Sequence, residues 1–317
     1  MLMLRGPAVF IMRLFAVDTE ISRGSMQGRN VGKHKGEVWV MPIITVSRGS
    51  MSGGQALAQC LASSLRVPCV GREILVQAAA KLGVPEQVLA EKVEKSPGFW
   101  QRLTLERRIY VVAVQAALAE LAVAGDLLYH GFAGHMLLRG VPAVLRVRLI
   151  APMPMRIRAI IEREGVAPED AERVIQERDQ NRRRWTEALY GVNLEDPRLY
   201  DLVINLETMT VASACATVVA AAAQPEFVVT DEVRARLRDF ALACRVKVAL
   251  VTQPASRGLD LDVTVTKGVV TIRGEVPKAA MPTHNSQRVE QELKQIAQGV
   301  AGVETVVLET QAYDPYH

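Results

Sequence analysis

The four cysteines of this chain, Cys60, Cys69, Cys215 and Cys244, include no C-x-x-C pair. Widely spaced and set among apolar neighbours, they read as reduced core thiols of a cytoplasmic protein, which argues against a disulfide framework. Long uninterrupted apolar runs are also missing. The two best candidates, Ile109–Ala124 and Leu202–Ala223, are broken by Gln115 and Glu120 and by Asn205 and Glu207, so no transmembrane segment is expected. The N-terminus has an apolar patch but not the ordered basic, apolar and cleavage regions of a signal peptide. A large charge of one sign is absent too: 38 basic against 34 acidic residues leave a formal net charge of +4, too little for a general nucleic-acid-binding field.

What is present is an ordinary globular composition, 49% hydrophobic and 23% charged over 317 residues, enough for two domains with cores. Residues 1–40 are polar and Gly-rich in their second half and read as a flexible N-terminal tail. Residues 41–224 alternate short apolar strands with helical patterns, which predicts an α/β fold with a parallel sheet flanked by helices. Pro225 marks a change of character, and 225–317 read as a small α+β domain.

The first domain is organised around Ile43-Ile-Thr-Val-Ser-Arg-Gly-Ser-Met-Ser-Gly-Gly-Gln-Ala-Leu-Ala58, a strand, a Gly/Ser turn and a helix. That order turns backbone N–H groups and a helix N-terminus toward a phosphate. A Walker A loop also needs a Lys and a Ser or Thr after its second glycine. Here Gln55 and Ala56, or Gly54 and Gln55, stand at those positions.

Further along, Glu73–Leu82 reads as a second helix and Val84–Arg107 as a charged insertion. Arg108–Ala124 reads as a buried helix, and Asp126–His130 and Val144–Ile150 as strands. The strand ends at Val46, Gly131 and Ala151 are expected to converge on one crevice, because ligands sit at the carboxyl ends of parallel strands. Pro154–Arg184 is a charged helical hairpin with Arg156, Arg158 and Arg163 on its first arm and Arg178, Asp179, Arg182, Arg183 and Arg184 on its second. It reads either as an arginine lid over a polyphosphate or as a solvated face with i,i+4 ion pairs. Asp196–Asn205 supplies a turn and a strand, and Thr210–Ala223 a closing helix. In the second domain Asp231 reads as a helix cap, and Arg245–Val251, Leu259–Thr266 and Val269–Glu275 as strands. Ser286–Gln298 is an amphipathic helix and Gly302–Thr310 a last strand.

Residues 41–224 resemble the cytidylate kinase-like family of P-loop nucleoside monophosphate kinases. The likeness is carried by Ile44-Thr-Val-Ser-Arg48 with Ser52-Gly-Gly54, Arg72-Glu-Ile-Leu75, Ala151-Pro-Met-Pro-Met-Arg156, Asp179 with Arg182, and Asp196-Pro-x-x-Tyr200-Asp-Leu-Val-Ile-Asn205. The resemblance implies phosphoryl transfer from ATP, with Mg²⁺, to a nucleoside monophosphate of the CMP or dCMP class. It implies catalytic roles for Arg156, Asp179 and Arg182, a nucleotide cradle at Ser47, Arg48, Ser52, Gly53, Gly54 and Gln55, and substrate binding at Arg72 and Gly131. Ser-Gly-Gly is common in that branch. Gln55, Gly71 and Phe132 are neutral where relatives carry charge, so the competing expectation is a catalytically degenerate nucleotide-binding regulatory protein.

Residues 226–317 resemble a BON domain, through Val263-Thr-Val-Thr-Lys-Gly-Val-Val-Thr-Ile-Arg-Gly-Glu275 and Gly299-Val-Ala-Gly-Val-Glu-Thr-Val306. That resemblance implies a protein or phospholipid partner. His130 and His135 have no neighbouring Cys or acidic ligand and read as turn or core residues rather than a metal site. Trp100 and Trp185 read as lid-to-core packing or as base-stacking groups.

Overall fold

The computed structural model describes residues 42–71, 79–80, 104–123, 125–131, 133–277 and 286–313, all within one compact unit, Val40–His317. The expected tail, the charged insertion up to residue 103 with Trp100, and the positions Arg72 and Phe132 lie outside the described residues. Of the expected helix at Glu73–Leu82, only Ala79 and Ala80 are described, and both are helical.

The first sheet has five parallel strands: β1 (Ile43–Arg48), β2 (Cys69–Val70), β3 (Leu127–His130), β4 (Val144–Ile150) and β5 (Leu202–Asn205), in the spatial order β2-β3-β1-β4-β5. β1 is central and is buried along nearly its whole length, as a strand covered on both faces must be. The helices around the sheet are α1 (Gly54–Leu65), α2 (Thr104–Val123), the short α3 (Gly134–Leu137), α4 (Met153–Glu164), α5 (Pro168–Tyr190) and α6 (Val211–Ala222).

One sheet face packs Ile44, Val46, Leu145, Val147 and Leu149 against Leu57, Leu61 and Leu65 of α1 and Ala214 and Val218 of α6. The opposite face carries Thr45, Ser47, Arg146 and Arg148, which pair across β1 and β4 as Thr45 with Arg146 and Ser47 with Arg148. Period-two alternation along β4 therefore sends its leucines and valines to a hydrocarbon core and its arginines to a polar side.

The second sheet contains β6 (Leu261–Thr266), β7 (Val269–Pro277) and β8 (Thr305–Tyr313), with β6 antiparallel and β8 parallel to β7. Lys267 and Gly268, both at positive φ, make the two-residue turn between β6 and β7, the conformation that matches the twist of the paired strands. α7 (Asp231–Thr252) and α8 (Ser286–Gln298) cover one side of it, with Leu242, Val246, Leu250, Leu293 and Ala297 meeting Val263, Val270, Ile272 and Val306.

Three expectations are corrected. Arg245–Val251 is the C-terminal part of α7, not a strand. Val246, Val248, Leu250 and Val251 are all nearly covered, so apolar residues fall around the whole helix and mask the 3.6-residue period. Its N-cap is Thr230, whose side chain accepts from the Val233 N–H, rather than Asp231. The cysteines are not all reduced: Cys60 on α1 and Cys215 on α6 form a disulfide, with Cα atoms 6.2 Å apart. Neighbouring helices on one sheet face bring together two residues 155 apart in sequence, and no local spacing foretells that. Cys69 and Cys244 are free.

α7 also packs along α2. Arg245 pairs with Glu120 at 3.2 Å, Arg108 of α2 with Asp260 at 3.1 Å, and Arg234 donates to the Val123 carbonyl at 3.4 Å. Burial raises the Glu120 pKa, with Arg245 opposing the shift. Among the described residues no single helix is long and apolar enough to cross a membrane.

The disulfide closes a long loop, worth on the order of 5 kcal/mol in the chain-entropy estimate. Thiol titration of unfolded, unreduced protein should find two reactive thiols of the four cysteines. Cys215→Ser should lower the melting temperature by roughly 10 °C or more. Four free thiols would contradict the pairing.

Candidate functional site

The turn after β1 is built by glycine and by left-handed backbone. Met51 has φ 60° and Gly53 φ 78°, and Gly53 is the N-cap of α1. A Cβ at Gly53 would stand 3.0 Å from Leu206 in addition to the backbone strain, so this position favours glycine. At Gly49 a Cβ would come within 2.8 Å of Ser52 Oγ and 3.4 Å of Arg156 Nη2. No side chain caps α1 and no acidic residue occupies its first turn. The N-terminal amides of α1 therefore face the loop with the helix dipole behind them, as an anion site requires.

A cleft of about 710 Å³ opens over this turn. Its lining includes Ser47, Arg48, Ser52, Gly53, Gly54 and Gln55 from the loop and His130 and Gly131 after β3, with Arg163, Arg178, Asn181 and Arg182 from α4 and α5. The expected convergence of β1 and β3 ends is thus present, and the α4–α5 hairpin overhangs it. Ala151 is not part of the lining.

Lid and loop are joined through Asp179. Its Oδ1 accepts from the Ser50 N–H at 2.8 Å and its Oδ2 from the Arg156 guanidinium, while Arg156 Nε donates to the Ser50 carbonyl at 2.7 Å. Arg182 lies 3.8 Å from the same carboxylate. Arg156 and Asp179 therefore fix the loop against α4 and α5, and neither lines the cleft, whereas Arg182 does. Burial pushes the Arg182 pKa down to about 10, Arg48 adds repulsion, Asp179 opposes it, and Arg178 and Arg156 repel further. Arg182 stays protonated, in a field of like charges that favours a polyanion.

The neutral Gln55 has a specific partner: its Oε1 accepts from Arg163 Nη2 at 2.7 Å. A guanidinium from the end of α4 thereby stands at the start of α1. Arg178 is held in a double hydrogen bond by Glu164, at 3.0 and 2.8 Å. The lid and solvated-face readings both hold for parts of the hairpin. Arg163, Arg178 and Arg182 turn inward, while Arg173 is exposed and pairs with Asp170 and Glu177 along its own helix.

Sequence reasoning missed a buried polar group beside Ser47. Arg148 is 8% exposed, and its Nη1 donates to the Tyr200 hydroxyl at 3.3 Å with the guanidinium 5.5 Å from that ring's centre. The Tyr200 hydroxyl donates to the Leu194 carbonyl at 2.8 Å and lies 3.4 Å from Ser47 Oγ. His135, 3% exposed, packs on Tyr200 with ring centres 4.7 Å apart. The usable signal was an Arg at the strand position level with Ser47, where alternation predicts an inward side chain.

A model of the Cytidylate kinase-like family matches residues 43–208. A cytidylate kinase of Thermococcus kodakarensis is 31% identical over 166 residues, covering 51% of this chain and 78% of that protein. A cytidylate kinase of Pyrobaculum arsenaticum is 28% identical over 176 residues, covering 55% of this chain and 89% of that protein. Among solved structures, an uncharacterized protein from Eubacterium ventriosum aligns with TM-score 0.45 and 17% identity, over 57% of this chain and 97% of that one.

His135 supplies a pH dependence with a definite sign. Burial, with Arg148 and Arg146, lowers its pKa from 6.5 to about 4. Between those values the unfolded chain holds more protons than the folded one, so this contribution is complete above pH 6.5 and is lost as pH falls toward 4, by on the order of 3 kcal/mol. Denaturant unfolding at pH 7 and pH 4.5 should show a smaller acid loss in His135→Phe than in the parent chain. Parallel losses would assign the acid sensitivity elsewhere.

Proposed function

This chain belongs to the cytidylate kinase-like family, and on that premise we propose that it transfers the γ-phosphoryl group of ATP to a nucleoside monophosphate of the CMP or dCMP class. The observation that carries the reading is the uncapped N-terminus of α1 at the Ser52-Gly53-Gly54 turn, facing Arg163, Arg178 and Arg182 across one cleft. Phosphoryl transfer asks mostly for alignment and charge neutralisation, and this arrangement supplies amide donors below and guanidinium donors above.

In this reading the α1 amides and Ser52 hold the ATP phosphates. Arg182 and Arg163 sit over the transferring group, and Gly131 with Arg72 meets the acceptor. Asp179 and Arg156 are positioning residues that set the distance between loop and lid. Among the described residues no three His, Cys, Asp or Glu gather as a metal site. A Mg²⁺ would be carried on the nucleotide phosphates, with Ser52 as a hydroxyl of the cleft wall, a sparse set suited to an ion that keeps its waters. Its chemistry there is neutralisation of phosphate charge.

The second reading, nucleotide binding without turnover, is favoured by one observation: the loop has no Lys, and Gln55 reaches the lid through a neutral amide. In that case the segment 225–317, as a BON-like module with a protein or phospholipid partner, would report the bound state through the contact of α7 with α2.

Full-length protein with ATP should form ADP in the presence of CMP or dCMP. Arg182→Ala should lower kcat by about 10³-fold, and Arg156→Ala should lower kcat and also loosen nucleotide binding. A rise in melting temperature with ATP and no ADP from any monophosphate would establish the second reading instead.

A further inference from the structure

The two outer strands of the second sheet differ in how they meet solvent. An edge strand leaves alternate N–H and C=O groups without a strand partner, and proteins blunt such edges with short length, lysine, proline or a bulge. β6 has several of these devices. It is six residues long, Asp262 within it is tied to Lys247 of α7, Asp260 just before it to Arg108 of α2, and Lys267 follows its last residue. β8 lacks them. It runs nine residues, pairs with β7 in unbroken register from Thr305 to Tyr313, and contains neither lysine nor proline. Its single charge, Glu309, is engaged by Arg273 of β7 at 2.6 Å. Among the described residues no strand pairs with the outer edge of β8.

Alternation divides β8 between two surroundings. Val306 is buried in the core beneath α7 and α8, and Thr310 Oγ1 donates to Glu290 of α8 at 2.6 Å, so the even-numbered residues face the helices. The odd-numbered residues face solvent: Val307 is 40% and Tyr313 41% exposed, and Thr305, Glu309 and Gln311 are exposed between and beside them. Val269 of β7 opens onto the same face, so three of the most exposed large apolar side chains among the described residues belong to it.

The strand is complementary to itself in one antiparallel register. With a two-fold axis at Thr310, Val307 meets Tyr313 of a second copy, Glu309 meets Gln311, and Thr310 meets Thr310, and the axis repeats the first two pairs. A β-branched residue against an aromatic ring, a carboxylate against an amide and threonine against threonine are all favourable cross-strand pairs, and no like charges are opposed. A register centred on Glu309 would set two carboxylates against each other. One centred on Leu308 would leave Tyr313 beyond the end of the facing strand. We propose that β8 is a dimer interface of this chain: two copies pair antiparallel through their outer β8 edges about a two-fold at Thr310. The second sheet then continues from one copy into the other, with α7 and α8 of both copies on one side of it. Such an interface closes on itself and ends at two chains rather than growing into a fibre. It does not depend on the kinase reading.

The test is sedimentation equilibrium of the full chain across the micromolar range, with the parent, Val307→Lys, Tyr313→Glu and the double variant. The parent should show a concentration-dependent equilibrium between monomer and dimer. Val307→Lys sets an unpaired charge against Tyr313, twice by symmetry, and should raise the dimer Kd by about tenfold or more; Tyr313→Glu should act in the same direction. In the double variant opposite charges face each other across the axis, so dimerisation should recover at least in part, as this register alone requires. Both side chains face solvent in the single chain, so the circular dichroism of each variant should match the parent. Recovery in the double variant, which holds both substitutions, also separates lost pairing from lost folding. A parent that stays monomeric, a dimer indifferent to both single substitutions, or a double variant no tighter than either single one overturns the proposal.

Discussion

The carboxylate of Asp179 is the interaction on which the cleft depends. It reaches from α5 to the backbone N–H of Ser50 and to Arg156 of α4, and Arg156 closes the ring on the Ser50 carbonyl. A loop of glycine and serine has little side-chain packing to hold it, and its conformational entropy favours disorder. Tying both backbone polar groups of one loop residue to two helices removes much of that freedom. Arg156 and Asp179 are only 12% and 19% exposed, so water competes weakly for them.

The same ring sets the electrostatics. Arg48, Arg156 and Arg178 all stand close enough to Arg182 to act on its charge, and Arg156 is itself held by Asp179. Glu164 restrains Arg178, and Gln55 restrains Arg163. Such preorganisation matters more than the number of charges, since donors already aimed at an anion need no reorganisation when it arrives. Beneath the loop, alternation along β4 sends the arginines to the face opposite the hydrocarbon core.

The α4–α5 hairpin, the strand Val144–Ile150 and the glycine turn were legible from short stretches of chain, although α5 runs on to Tyr190, past the expected end at Arg184. Arg245–Val251 was misread because a helix buried on several sides carries no polar stripe, and its valines alternate as a strand's would. The candidate loop residues could be named from their order in the chain. Their division of labour could not, because Arg156 and Asp179 look like facing-cleft charges in sequence and are loop-to-lid ties in space.

By itself the sequence determined the strand–turn–helix opening, the alternation of strands and helices that makes a parallel sheet, and the arginine-rich hairpin. These depend on periodicity and on residues acting within a few positions of themselves. Tertiary structure alone decided the Cys60–Cys215 bond, the meeting of Gln55 with Arg163, the packing of α7 along α2, and the solitary burial of Arg148 beside Tyr200 and His135. Each of these joins residues far apart in the chain, and such pairings are fixed by sheet order and helix packing rather than by any local preference.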